Sequence, residues 1–154
     1  MATESVKDYL NELVATQGLF YIKLHQVHWY IKGHGFFELH EKMEEYYDEL
    51  TEHFDESAER LLQIGGMPYS TLQEYIDHSV IKESPDNKNL SQEEMLKLVV
   101  GDYETLRDEL SKGIDLSDEQ NDDVTNDMLI AQKAHVDQVI WMLWAFLGTN
   151  PPKV

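Results

Sequence analysis

No cysteine occurs among the 154 residues. Disulfides, thiolate zinc sites, iron–sulfur clusters and cysteine nucleophiles are therefore excluded together, and any metal must be held by nitrogen and oxygen. Basic residues are scarce: 12 Lys and Arg stand against 30 Asp and Glu, for a formal net charge of −18. Binding along a nucleic-acid backbone needs a Lys/Arg surplus on some face, and so does an anionic membrane surface. Both partners are disfavoured, while solubility and attraction of cations are favoured. No run of about eighteen apolar residues is present, so no membrane-spanning helix is expected. The first residues, Met1 to Asp8, lack the charged-then-apolar order of a secretory signal, and a cytoplasmic protein is the expectation.

What is present is helical periodicity. The hydrophobic fraction of 42% is ordinary for a globular chain, and the length predicts one domain over residues 1–154. Apolar residues recur at Val6, Leu10, Leu13, Phe20, Leu24, Val27 and Ile31, a three-and-four spacing that predicts a first helix capped by Thr3 or Ser5 and punctuated by Gly33 and Gly35. A second stripe runs from Phe36 through Met43, Leu50 and Leu61 to Gly65-Gly66. The capping box Ser91 to Glu94 predicts a third helix ending near Gly113. Ser117 to Gln120 predicts the start of a fourth, reaching Gly148 ahead of Pro151-Pro152. No strand pattern competes. The first and third connections are short, which forces antiparallel neighbours, whereas residues 66–90 form a long crossover with a short amphipathic piece, Thr71 to Ile76. Two helical hairpins joined by one crossover define an all-α, ferritin-like four-helix bundle.

Such bundles ordinarily hold a di-iron site through Glu-x-x-His on two helices, but none of the seven histidines has Glu three residues before it. Another constellation stands out. His40, Glu44, Asp55 and Glu59 lie on the second helix within an arc of roughly 100°, and the arithmetic puts Glu44 and Asp55 nearer its buried side than Glu45, Glu49, Glu52 and Glu56. His28 sits inside the apolar stripe of the first helix, followed by Trp29. His25, His34, His53, His78 and His135 read as structural or surface residues, and Trp29, Trp141 and Trp144 as core or interface aromatics. His40 and Asp55 are 15 residues apart on one helix, about 22 Å of rise, yet residues sharing one ion need backbones within roughly 10 Å. A two-fold axis between antiparallel copies of the second helix removes the conflict, so the spacing predicts sites shared between subunits, two per dimer.

The segments His28 to Gly33, Phe37-x-x-His40-x-x-x-Glu44, and Asp55 to Arg60 with Gly65-Gly66 resemble the Dps family, the mini-ferritins named for DNA protection in starved cells. The likeness continues through Asp122 to Asp127 and from Trp141 to Gly148. It implies a hollow shell of twelve subunits that oxidises Fe(II) at two-fold interfaces, preferably with hydrogen peroxide, and stores ferric mineral. By this resemblance His28 and His40 come from one subunit and Asp55 and Glu59 from its partner. Glu44 occupies a position commonly held by Asp, its extra methylene altering how it meets the ion. The resemblance also suggests that Trp29 and Trp144 take up stray oxidising equivalents, and that Asp118, Asp123 and Asp127, at the opening of the fourth helix, line a three-fold pore. The plain alternative for those aspartates is the preference of acidic residues for helix N-termini. DNA-binding members carry a Lys/Arg-rich extension; only Lys7 and Lys153 lie near the termini, so no direct DNA binding is expected. The expected function is thus a ferroxidase and iron store using Fe(II) and peroxide. The alternatives are a non-enzymatic acidic helical bundle and, less favoured, an ordinary di-iron oxygenase.

Overall fold

Ser5 accepts a hydrogen bond from the Asp8 amide, satisfying one of the free donors at the start of helix α1, Val6–Tyr30. The computed structural model describes residues 4–153, and Thr3, the other expected cap, lies outside them. Gly33 and Gly35 take positive φ values of 105° and 77°, turning the chain tightly into α2, Phe36–Gln63. After Gly66 the crossover carries α3, Leu72–His78, opened by a Thr71–Glu74 capping box, and a 3-10 turn at Pro85–Asn89. The second hairpin is α4, Gln92–Glu119, against α5, Asp123–Phe146. Among the described residues there is no strand. Both short connections yield antiparallel pairs, α1 with α2 and α4 with α5, as their lengths require.

Helix α1 is the centre of the packing, touching α2, α3 and α4. That is why its middle reads apolar nearly all round: Leu13, Val14, Ala15, Phe20 and Leu24 are all fully buried. Gly18 leaves the slot that the crossover fills, since a Cβ there would stand 2.9 Å from Cδ2 of Tyr75 in α3. Farther along, buried Lys23 donates to the Lys82 carbonyl and pairs with Asp102 Oδ2 at 2.8 Å, fastening α1, the crossover and α4 at one point. Burial pushes the Asp102 carboxyl up, and the Lys23 ammonium opposes that shift.

The boundary between the last two helices differs from the sequence expectation. Helix α4 continues through Gly113 to Glu119. Gly113 is a packing glycine: a Cβ there would lie 2.1 Å from Cζ of the buried Tyr9 ring. Ser117 does not open a helix either. It is buried, and its hydroxyl donates back to the Ile114 carbonyl at 3.1 Å. The turn is made by Asn121, at φ 58°, with the Asp122 amide donating to the Ser117 carbonyl and the Asn121 amide to that of Asp118. Asp122 then caps α5.

Candidate metal centre

The tight α1–α2 turn sets His28, in the last turn of α1, against His40, in the second turn of α2. The rings stack with centroids 3.7 Å apart and planes 14° from parallel. Each imidazole meets the other residue's backbone: His28 Nδ1 donates to the His40 carbonyl at 2.7 Å, and His40 Nδ1 to the His28 carbonyl at 2.8 Å. A carbonyl only accepts, so both Nδ1 atoms carry a proton, and the tautomer this selects is the one with its lone pair on Nε2. Fixing the far nitrogen in this way prepares an imidazole for a metal ion. The pair could hold one side of a metal ion through its two Nε2 atoms, with His28 only 7% exposed.

Glu44 follows His40 by one turn, is exposed, and accepts the Tyr47 O–H on Oε1 at 3.1 Å. Partial desolvation first, then that hydrogen bond and the Glu44 charge, hold the phenol above its ordinary pKa of 10, so it remains a donor. Tyr47 stacks on His25 at 3.8 Å, and Trp29 lies 5.5 Å from the His25 ring. His25 is therefore an aromatic prop whose Nδ1 bonds the Tyr21 carbonyl at 2.7 Å. Trp29 is 66% exposed and Trp141 55%, so neither belongs to the core of the protomer. Trp144 is half-buried, its indole N–H without an acceptor among the described residues.

Asp55 and Glu59 occupy the far end of α2. They line a cleft of about 530 Å³ with Glu52, Glu56, Arg60 and Asp127. Arg60 joins this end to the start of α5, donating to Thr125 Oγ1 and Asp122 Oδ1 at 2.8 Å each. The two carboxylates do not reach the histidines, and among the described residues no three His, Asp or Glu side chains of one protomer converge to hold a metal ion. Asp123 is the first residue of α5 and Asp127 lies one turn on, both exposed. Asp118 does not open that helix; it belongs to the last turn of α4, because the break comes at Asn121.

The helical-wheel ordering of the acidic residues also needs correction. Glu44 and Asp55 are exposed, whereas Glu49 is half-buried with Oε2 2.7 Å from His135 Nε2 on α5. Helix α2 faces α5 as well as α1, so its covered arc is wider than its apolar stripe. Between α1, α2 and α5, where a bundle would hold its own di-iron site, neutral amides stand instead. Gln17 donates to Gln132 Oε1 at 3.0 Å, and Gln132 to Ser57 Oγ at 3.2 Å and Glu56 Oε1 at 3.0 Å. Sequence reasoning missed this buried network; its signal was Gln17, a glutamine in the middle of a helix whose neighbouring positions Leu13, Val14, Ala15 and Phe20 are apolar. Next to it the His53 ring meets that of His135 edge-on at 5.3 Å. Burial, and then His135, lower the His53 pKa below 6.5, against the pull of Glu56 and Glu52. The unfolded chain therefore binds a proton that the folded one resists, and stability should fall as pH drops below that value. Melting temperatures between pH 7 and about pH 5 should decline less in His53→Gln than in the wild type; equal slopes would remove His53 from the explanation.

The family model of the ferritin-like domain matches residues 7–150. The DNA protection during starvation protein of Listeria innocua is 51% identical over 145 residues, 94% of this chain and 93% of that protein. The X-ray structure of Dps from Listeria monocytogenes superposes with a TM-score of 0.95 at 49% identity, covering 97% of each chain. That of Dps from Listeria innocua soaked with cobalt gives 0.94 at 50% identity, covering 97% of this chain and 96% of the other. With matches of this extent and a bundle of the same form, the chain belongs to the Dps family of ferritin-like proteins.

Proposed function

We propose that the chain is a ferroxidase and iron-storage protein, working in the cytoplasm as a shell of twelve copies. The observation that carries this reading is the clasped pair His28–His40, whose Nδ1 atoms are taken up by backbone carbonyls so that Nε2 is the nitrogen left for a ligand, while the carboxylates suited to complete a site, Asp55 and Glu59, lie about 22 Å and about 28 Å from His40 along the same helix. An antiparallel second copy would bring its own Asp55 and Glu59 to the histidines, with Glu44 beside them. Imidazole and carboxylate together suit iron, and a carboxylate-rich set favours the ferric product. Iron is the substrate: two Fe(II) each give one electron to hydrogen peroxide, the O–O bond breaks, two protons are taken up and two waters leave. Asp118, Asp123 and Asp127 serve as a cation-concentrating entry. Trp29, near the histidines and exposed, takes up one-electron equivalents that escape; Trp29→Phe should raise radical release to a spin trap, and an unchanged yield would return it to packing.

The test is anaerobic addition of Fe(II) and then peroxide. Rapid ferric absorbance with roughly two iron consumed per peroxide is expected. Oxidation no faster than in buffer would favour the non-enzymatic bundle. Protection of DNA then follows from removing iron and peroxide, without a complex, since a charge of −18 per chain repels the phosphate backbone. In a gel shift at low salt without divalent cations, DNA should run unretarded; clear retardation would refute this part.

A further inference from the structure

We propose that Tyr47 is the positioning residue of the histidine half-site, turning Glu44 from a free surface carboxylate into a directed ligand; this rests on the function proposed above. Tyr47 lies three residues after Glu44 and seven after His40, on the same face of α2. Its ring is held from three sides. It stacks on His25 with planes 21° apart, meets the Tyr21 ring edge-on at 6.0 Å and meets the His28 ring edge-on at 5.4 Å. His28 is consequently stacked on one side by His40 and met nearly at a right angle by Tyr47.

From that fixed ring the phenol O–H donates to Glu44 Oε1 at 3.1 Å. A glutamate on an exposed helix face has three rotatable bonds, and immobilising such a side chain costs conformational entropy. Here the cost is met on folding, before a cation arrives. The phenol occupies one carboxylate oxygen and leaves Oε2 for the ion, so the longer side chain at this position gains a defined direction. The hydroxyl acts on the metal through Glu44, and the ring acts through His28.

Tyr47→Phe separates the two, because it retains every ring contact and removes only the donor. Cobalt(II) is the probe: anaerobic titration of the assembled protein, read by d–d absorbance and by metal count. Tyr47→Phe should weaken cobalt binding by roughly tenfold and raise the KM for Fe(II) similarly, with kcat little changed. Glu44→Gln should weaken binding at least as much. The double variant should be no weaker than Glu44→Gln alone, since the phenol has nothing left to position. Additive losses, or an unchanged cobalt affinity in Tyr47→Phe, would overturn the proposal. His28→Ala separates this failure from that of the function itself. If it abolishes the cobalt signal while Tyr47→Phe has no effect, only the role of Tyr47 falls. If cobalt binding ignores His28, the histidine site falls and the inference with it.

Discussion

Protomers carrying His28→Ala with His40→Ala, co-assembled in equal amounts with protomers carrying Asp55→Asn with Glu59→Gln, should recover about a quarter of the wild-type rate of ferrous oxidation. Alone, each double variant should lose more than about 100-fold, because replacing even the supports of metal ligands costs 10- to 100-fold. The recovery follows from symmetry. In a mixed dimer one site combines altered histidines with altered carboxylates and is dead. The other combines intact histidines from one protomer with intact carboxylates from its partner. Random pairing makes about half of the dimers mixed, each with one working site of two. A site confined to one protomer gives no such complementation. Mixed shells no more active than their parents would therefore refute the shared site, and a His28/His40 variant at full speed would refute the histidines as ligands.

Gly113→Ala should destabilise the protein by roughly 3 kcal/mol, lowering the melting temperature by about 6–12 °C. The added methyl would stand 2.1 Å from Cζ, 2.2 Å from Cε1 and 2.3 Å from the hydroxyl oxygen of Tyr9. That ring is fully buried and its phenol donates to the Glu109 carbonyl at 2.8 Å, so it has neither space nor freedom to withdraw. Gly101 in the same helix is the control. Its Cβ would meet nothing within 4 Å, so Gly101→Ala should stabilise by up to about 1 kcal/mol through helix propensity and lost freedom of the unfolded chain. One substitution type in one helix thus has opposite signs, decided by a neighbouring side chain. If both variants melt together, the packing role of Gly113 is wrong.

The same glycine shows where the sequence misled. Near the end of a periodic stretch Gly113 resembles a stop signal, and Ser117 with Gln120 resembles a capping box. Both signals are local, while the residue that decides the matter, Tyr9, is about a hundred positions earlier in the chain. Asn121 carries the real turn, and its left-handed conformation is one that asparagine tolerates better than most. The displaced boundary moved Asp118 from the head of one helix to the tail of another.

The sequence by itself determined the all-α class, the two hairpins with their crossover, and the impossibility of one protomer bringing His40 and Asp55 to one ion. These follow from helical rise, apolar periodicity and loop length, which are properties of consecutive residues. Tertiary structure alone decided that His28 and His40 lock each other's tautomer, that Tyr47 grips both an imidazole and Glu44, that Glu49 turns toward His135, and that amides occupy the bundle interior. Those features depend on which ring or carbonyl of another helix comes within about 3 Å, and a hydrogen bond's steep dependence on distance and angle is set by packing rather than by spacing along the chain.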